Sequence, residues 1–150
     1  MLVYRIGSHK RIRDHQGTGG LYVAGRWHQK GTRVLYTSSS VSLAKLEVLA
    51  KSVGKLPRSQ ALIALEFPDD APMLRVSVDQ LPVNWQQYPY PTQLSQLTEN
   101  WLREGKTWIM RVPSAQSPIE YNYLFNPQHP MHHHLKIVEL RDELFDQRFK

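Results

Sequence analysis

"RVLYTSSSVSLAKLEVLAKSVG", residues 33–54, joins a short β-rich run to a helix through consecutive hydroxyl side chains. Arg33–Thr37 has the composition of a strand, Ser39 or Ser40 is placed to cap the helix that follows, and Gly54 is placed to end it. On a helical wheel Glu47 falls between Leu43, Ala44, Leu46 and Ala50, inside the apolar arc, while Lys45 and Ser52 face away. A carboxylate on the buried side of a helix must be satisfied or used, because an unpaired buried charge is strongly unfavourable. Two readings follow. Glu47 closes a salt bridge at the edge of the core, or it lies at the floor of a cleft, stabilising a developing cation or hydrogen-bonding sugar hydroxyls.

Immediately upstream, "GRWHQKG" (residues 25–31) sets Arg26 beside Gly25, where backbone can approach a ligand closely. A guanidinium there is either a surface cation or a planar fork for a pyrophosphate or carboxylate. Tyr36 ends the short strand and shares a face with Val34, which makes it a core residue or an aromatic platform for a planar ring. Further upstream, "LVYRI" reads as a first strand with Val3 and Arg5 on one face and Leu2, Tyr4 and Ile6 on the other. "GTGG" (residues 17–20) reads as a flexible turn, and its spacing matches neither the phosphate loop nor the dinucleotide fingerprint.

Downstream, "QALIALEF" is a strand closed by the turn "PDDAP", and "PMLRVSV" reads as another. "LPVNWQQYPYPTQ" has the proline and aromatic content of a long surface excursion. Thr92–Gly105 is an amphipathic helix with an apolar stripe at Leu94, Leu97 and Trp101. "TWIMRVPSA" is a strand leading into a turn at Pro113, "NYLFNPQHP" a structured loop, "LKIVEL" a final strand and "RDELFDQRFK" a polar tail. Pro113 fixes the local backbone and hence the direction of the Ser114 hydroxyl, yet "VPSA" is no nucleophile elbow, so a serine-hydrolase triad is not expected. The run "HPMHHH" (His129–His134) lacks zinc-site spacing and its adjacent side chains diverge, so no metal is expected.

The chain has 150 residues, 41% of them hydrophobic, with ten prolines and eight glycines, which suits one irregular α/β or α+β domain over 1–150. No repeat or linker divides it. The absence of cysteine excludes disulfides and thiolate metal sites and fits a reducing cytoplasm. No run approaches the roughly 18 apolar residues of a membrane helix, and the first residues have no signal-peptide core, so a soluble protein is expected. The formal charge of +6 favours an anionic partner: nucleic acid, a phosphate-bearing small molecule or an acidic protein. Its cations are dispersed as on a solvated surface, and no helix-turn-helix, zinc-finger or RNA-binding signature is present. A basic nucleic-acid-binding module is therefore the alternative class, and its affinity would fall steeply with salt.

The residues singled out resemble the RES-domain family, the toxin half of Xre–RES toxin–antitoxin systems, named for an Arg, a Glu and a Ser. The matching positions are Arg26 in "GRWHQKG", Glu47 in "SLAKLEVL" and Ser114 in "VPSA", with Arg5 in "YRI" matching a functional arginine of the family. The steps from Arg26 to Tyr36 and from Tyr36 to Glu47, ten and eleven residues, fit the family's Arg–Tyr–Glu pattern. The resemblance implies an α+β fold like that of ADP-ribosyltransferases, a split β-core with flanking helices. It implies cytoplasmic destruction of NAD by cleavage of the nicotinamide–ribose bond, with water or phosphate as acceptor, or ADP-ribosylation of a protein target. NAD is then a substrate, and no permanently bound cofactor is expected. Glu47 would stabilise the oxocarbenium-like sugar and orient the attacking water. Arg26, helped by Arg5, would clamp the diphosphate, Tyr36 would stack on nicotinamide or hold its ribose, and Ser114 would fix the leaving ring. Asn122 would add polar contacts. The implied partners are an Xre-type helix-turn-helix antitoxin and a second copy of the chain, as a homodimer within a larger complex.

Overall fold

In a computed structural model that describes residues 1–149, seven strands form one sheet: β1 (Leu2–Ser8), β2 (Leu35–Ser38), β3 (Gln60–Glu66), β4 (Met73–Arg75), β5 (Ile109–Pro113), β6 (Tyr121–Phe125) and β7 (Lys136–Glu143). Their order is β4-β5-β6-β2-β1-β3-β7, parallel only between β4 and β5. The helices are α1 (Val41–Lys51) and α2 (Thr92–Glu104). The class is α+β. None of the described helices is long and apolar enough to cross a membrane.

β3 carries an uninterrupted buried run from Ala61 to Leu65, because it is covered on both faces and paired on both edges. β1 pairs with β3 along its whole length and β2 pairs with β6 along its whole length, yet β1 and β2 share only the Tyr4↔Ser38 pair. The sheet is thus two halves joined at one point. On the face bearing Tyr4 and Ser38, α1 covers the β1–β3 half through Ala44 and Val48 against Ile6 and Leu62. On the same face α2 covers the other half through Leu94 and Trp101 against Met110, Val112 and Leu124. The opposite face buries Val3, Ile63, Leu65, Phe67, Trp108 and Phe125 beneath loop residues, among them Ile12 and Leu135. The seam between the two halves on the helical face, where α1 and α2 cover separate strands, is the candidate cleft.

Several expectations need correction. The segment read as a structured loop, residues 122–130, begins inside β6, a central strand of the sheet. The strand is only five residues long and turns the polar Asn122 inward, so its apolar alternation is too brief to register. "PMLRVSV" yields a three-residue β4 and then a 3-10 turn over Val78–Gln80. The tail's first residues prolong β7, with Arg141, Asp142 and Glu143 opposite Leu62, Ala61 and Gln60. "GTGG" is not a loose turn: a Cβ on Gly20 would lie 2.1 Å from the Thr32 carbonyl oxygen, so the segment is packed tightly on its neighbour.

α2 keeps its expected limits and α1 its expected start, but α1 ends at Lys51 with Ser52 as its C-cap, short of Gly54. The Ser40 hydroxyl accepts from the Leu43 N–H at 3.1 Å and caps α1, and Gly105 closes α2 in the left-handed region at φ 63°. Leu46 (45% exposed) and Ala50, however, point to solvent, so Glu47 does not share their side. The inward side carries Leu43, Ala44, Glu47 and Val48, at the three- and four-residue spacing of one helix face, with Lys51 one turn on from Glu47. Because Ser40 fixes the start of the helix that carries Glu47, Ser40→Ala is expected to lower stability by about 1 kcal/mol in denaturant titration.

Candidate active site

The floor of the cleft is built around Glu47, which reaches from α1 to the ends of β5 and β6. Its Oε1 accepts from the Ser114 hydroxyl at 2.6 Å and from Asn122 Nδ2 at 2.7 Å. Asn122 Oδ1 accepts in turn from the Ser38 hydroxyl at 2.8 Å, and Ser114 Oγ accepts from the Gln116 N–H at 3.1 Å. Ser38, Ser114 and Asn122 are all buried. Among the described residues Glu47 enters no ion pair, so the salt-bridge reading is set aside. Both hydrogen bonds fall on one oxygen, and Oε2, with no partner among the described residues, is not fully buried. The carboxylate is held in place while one oxygen stays available.

This geometry changes the expected role of Ser114. Its hydroxyl hydrogen is committed to Glu47 and the residue is fully buried, so in this structure Ser114 holds the carboxylate. Asn122 works from the other side to the same end.

Tyr36 forms a wall of the cleft. Its hydroxyl lies 2.6 Å from His28 Nδ1 and accepts from the Trp27 N–H at 3.3 Å. Burial raises the phenol's pKa far above its usual value, so it remains neutral. With the hydroxyl turned inward to the protein, it is not free to hold a ribose, and the ring face is what Tyr36 can offer. Lys51 Nζ lies 5.3 Å from that ring's centroid. Lys51 as a residue is exposed, yet protein atoms crowd its ammonium. This desolvation lowers its pKa, Glu47 opposes the shift, and the nearby charge of Arg5 adds to it.

Arg26 stands within electrostatic reach of both Glu47 and Tyr36. Its Nη1 donates to the carbonyls of Trp85 (2.8 Å) and Gln87 (2.9 Å), and the guanidinium carbon sits 4.8 Å from the Tyr90 ring centroid. The proline- and aromatic-rich segment is therefore not a mere surface excursion. Trp85 is buried in the core beneath α2, and the backbone beside it anchors Arg26. Desolvation of the guanidinium lowers its pKa, partly opposed by Tyr90, Glu47 and Tyr36. An open pocket of about 160 Å³ adjoins Arg26, lined also by Gly25, His28, Gln29, Tyr90, Thr92 and Ser95. Glu47 is not in its wall, so that hollow and the carboxylate floor are separate parts of the site that meet near Arg26.

Arg5 is placed differently. Its Nη1 donates to the carbonyls of Ile12 (3.0 Å) and Asp14 (3.1 Å), tying down the turn after β1. Burial lowers its pKa and Asp14 opposes the shift. The histidine run is a structural anchor: buried His132 accepts from Trp108 Nε1 through Nδ1 at 3.0 Å and donates from Nε2 to the His15 carbonyl at 2.7 Å. Among the described residues no group of three or more potential ligands is arranged around a metal ion.

Ser38, His28, Lys51 and Tyr90 escaped the sequence reading. Ser38 had a signal, since alternation from Tyr36 puts it on the cleft face. Lys51 had one also, four residues from Glu47 along the helix. His28 and Tyr90 had none.

Fold and cleft together define an α+β protein whose helix-borne carboxylate is fixed by a serine and an asparagine beside an aromatic wall and clustered cations. The chain belongs to the RES domain family, whose model matches residues 2–147. It is 38% identical over 143 residues to a protein named Toxin Res from Pseudomonas putida, covering 91% of this chain and 92% of the relative. It is 33% identical over 138 residues to the Prs ADP-ribosylating toxin of a Sphingobium species, covering 90% and 86%. Among solved structures, that of the Mycobacterium tuberculosis MbcT–MbcA toxin–antitoxin complex contains a similar fold, with a TM-score of 0.77 at 15% identity over 95% of this chain and 83% of that one. By these relationships the chain is a RES-family toxin.

Proposed function

We propose that this protein is the toxin of a toxin–antitoxin pair and depletes NAD in the cytoplasm by cleaving its nicotinamide–ribose bond. The observation that carries the reading is the Glu47 carboxylate, held through Oε1 by Ser114 and Asn122 while Oε2 has no partner among the described residues and is not fully buried. In the reaction the electron pair of the glycosidic bond leaves with nicotinamide, which departs neutral and needs no acid. The ribose is left as an oxocarbenium-like cation. Glu47 stabilises that cation and orients the acceptor, water or phosphate, whose attack completes the cleavage. Arg26 draws the diphosphate through the guanidinium edge turned from the Trp85 and Gln87 carbonyls, and the Tyr36 ring face receives the planar base. An Xre-type helix-turn-helix antitoxin covers the cleft, and two copies of the chain assemble within that complex.

A second reading has its own support. The relative named for ADP-ribosylation of Prs makes a protein side chain the alternative acceptor at the same site. Incubating the purified chain with NAD labelled in its ADP-ribose part tests both. Nicotinamide release with label in small molecules supports cleavage, and a rate that rises with added phosphate identifies phosphate as acceptor. Label retained on protein supports transfer. No release with either NAD alone or cell lysate present as target would reject the enzyme reading. Ser114→Ala removes the 2.6 Å bond that fixes Glu47 and is expected to lower kcat by about 10- to 100-fold with KM little changed, measured by nicotinamide release.

A further inference from the structure

His28 has no part in the reaction as described, yet it is buried and both its ring nitrogens are engaged. Its Nε2 lies 2.8 Å from the Val23 carbonyl oxygen, which can only accept, so Nε2 carries a hydrogen. A neutral ring then has a lone pair on Nδ1, and the Tyr36 hydroxyl 2.6 Å away donates to it. The phenol oxygen is thus fixed between a donor, the Trp27 N–H, and an acceptor, the imidazole. Glycines close around the pair. A Cβ on Gly25 would come within 2.9 Å of both His28 Cε1 and the Tyr36 hydroxyl oxygen, and one on Gly20 within 3.2 Å of His28 Nε2. The Gly25 N–H also donates to the His28 carbonyl at 3.0 Å, closing the turn that presents Arg26.

We infer that His28 is a positioning residue that sets the Tyr36 ring and the Arg26 turn together, and that its hold on Tyr36 needs the neutral imidazole with its hydrogen on Nε2. Adding a proton to Nδ1 removes the acceptor that the Tyr36 hydroxyl uses, so the phenol must turn its hydrogen away and lose the donor bond that fixes it. The titratable or charged groups around the ring are Tyr36 from β2, Lys51 from α1, and Arg26 and Tyr90 at the adjoining pocket. Burial of the imidazole lowers its pKa, the Val23 carbonyl opposes this, and the Lys51 charge reinforces it. The neutral form therefore persists below the ordinary histidine value of about 6.5, and the Tyr36 bond is lost as pH falls through the depressed value.

The inference rests on the reading of the site as an NAD-cleaving cleft, and two variants separate its parts. In His28→Asn the amide oxygen can occupy the Nδ1 position and accept from Tyr36 without titrating. In His28→Gln the amide lies near Nε2 and leaves the Tyr36 hydroxyl without its acceptor. With folding checked by thermal melting, His28→Gln is expected to lose at least about tenfold in kcat, and His28→Asn to recover most of that loss. The acid limb of the wild-type pH profile assigned to His28 should be absent in His28→Asn. On a Tyr36→Phe background, His28→Gln should add less than about twofold, because the bond it breaks is already gone. Equal losses on both backgrounds, or an Asn variant no better than Gln, would overturn the assignment. Imidazole nitrogen NMR tests the tautomer independently of activity: an Nε2–H tautomer with Nδ1 accepting supports that part even if no nicotinamide is released, and an Nδ1–H tautomer refutes the assignment.

Discussion

Glu47→Gln is expected to cut nicotinamide release from NAD by about 10²–10³-fold or more while leaving the protein folded. The substitution keeps the side chain's length and an oxygen able to accept from the Ser114 hydroxyl and Asn122 Nδ2, so the floor of the cleft retains its packing. What it removes is the negative charge. An oxocarbenium-like transition state carries positive charge that neither NAD nor the products bear at the sugar carbon, so an anion fixed beside it stabilises the transition state selectively. The loss should appear in kcat, because binding of the diphosphate and base does not need the carboxylate. Thermal melting should show the variant at least as stable as wild type, since a half-buried charge has been replaced by a neutral group of the same shape. A variant with wild-type turnover would place the catalytic anion elsewhere and end the proposed mechanism.

The two helices were legible because each has a local chemical start or stop. A run of serines precedes α1, and Gly105 follows a stripe at Leu94, Leu97 and Trp101 in α2. Arg26, Tyr36 and Glu47 were legible as a group because their spacing fits a family pattern, although Tyr36 lies inside β2 and Glu47 in the middle of α1 rather than at segment ends. The same sequence hid β6, whose five residues derive their order from β5 on one side and β2 on the other. It also hid what holds Arg26, since the acceptors are backbone carbonyls at Trp85 and Gln87, 59 and 61 residues away, and a carbonyl has no side-chain signature. Glu47 was recognised as needing a partner, but its partners lie 67 and 75 residues downstream, just after β5 and in β6. Only the sheet order brings Ser114 and Asn122 beneath α1.

The largest stability effect is expected from Trp108→Ala, by about 3–5 kcal/mol in denaturant titration at neutral pH. Trp108 is fully buried on the face opposite the cleft. Its ring meets Phe125 edge-on at 5.2 Å and Phe67 at 6.2 Å between centroids. Truncation opens a cavity among aromatics that cannot collapse far, and it strips His132 Nδ1 of the donor 3.0 Å away. Against a total stability of about 5–15 kcal/mol for a domain, that is a third or more of the margin. The same contact sets a pH dependence. Burial lowers the pKa of His132, the His15 carbonyl opposes this, and the His15 and His129 rings add to it. Below about pH 6.5 the unfolded chain therefore binds more protons at this residue than the folded one, and stability falls as pH drops from there through the depressed value. Wild type should melt lower at pH 5 than at pH 7, and His132→Gln should flatten the part of that slope due to this residue. A Trp108→Ala variant within about 1 kcal/mol of wild type would mean that the histidine run is held by something other than the aromatic core beneath it.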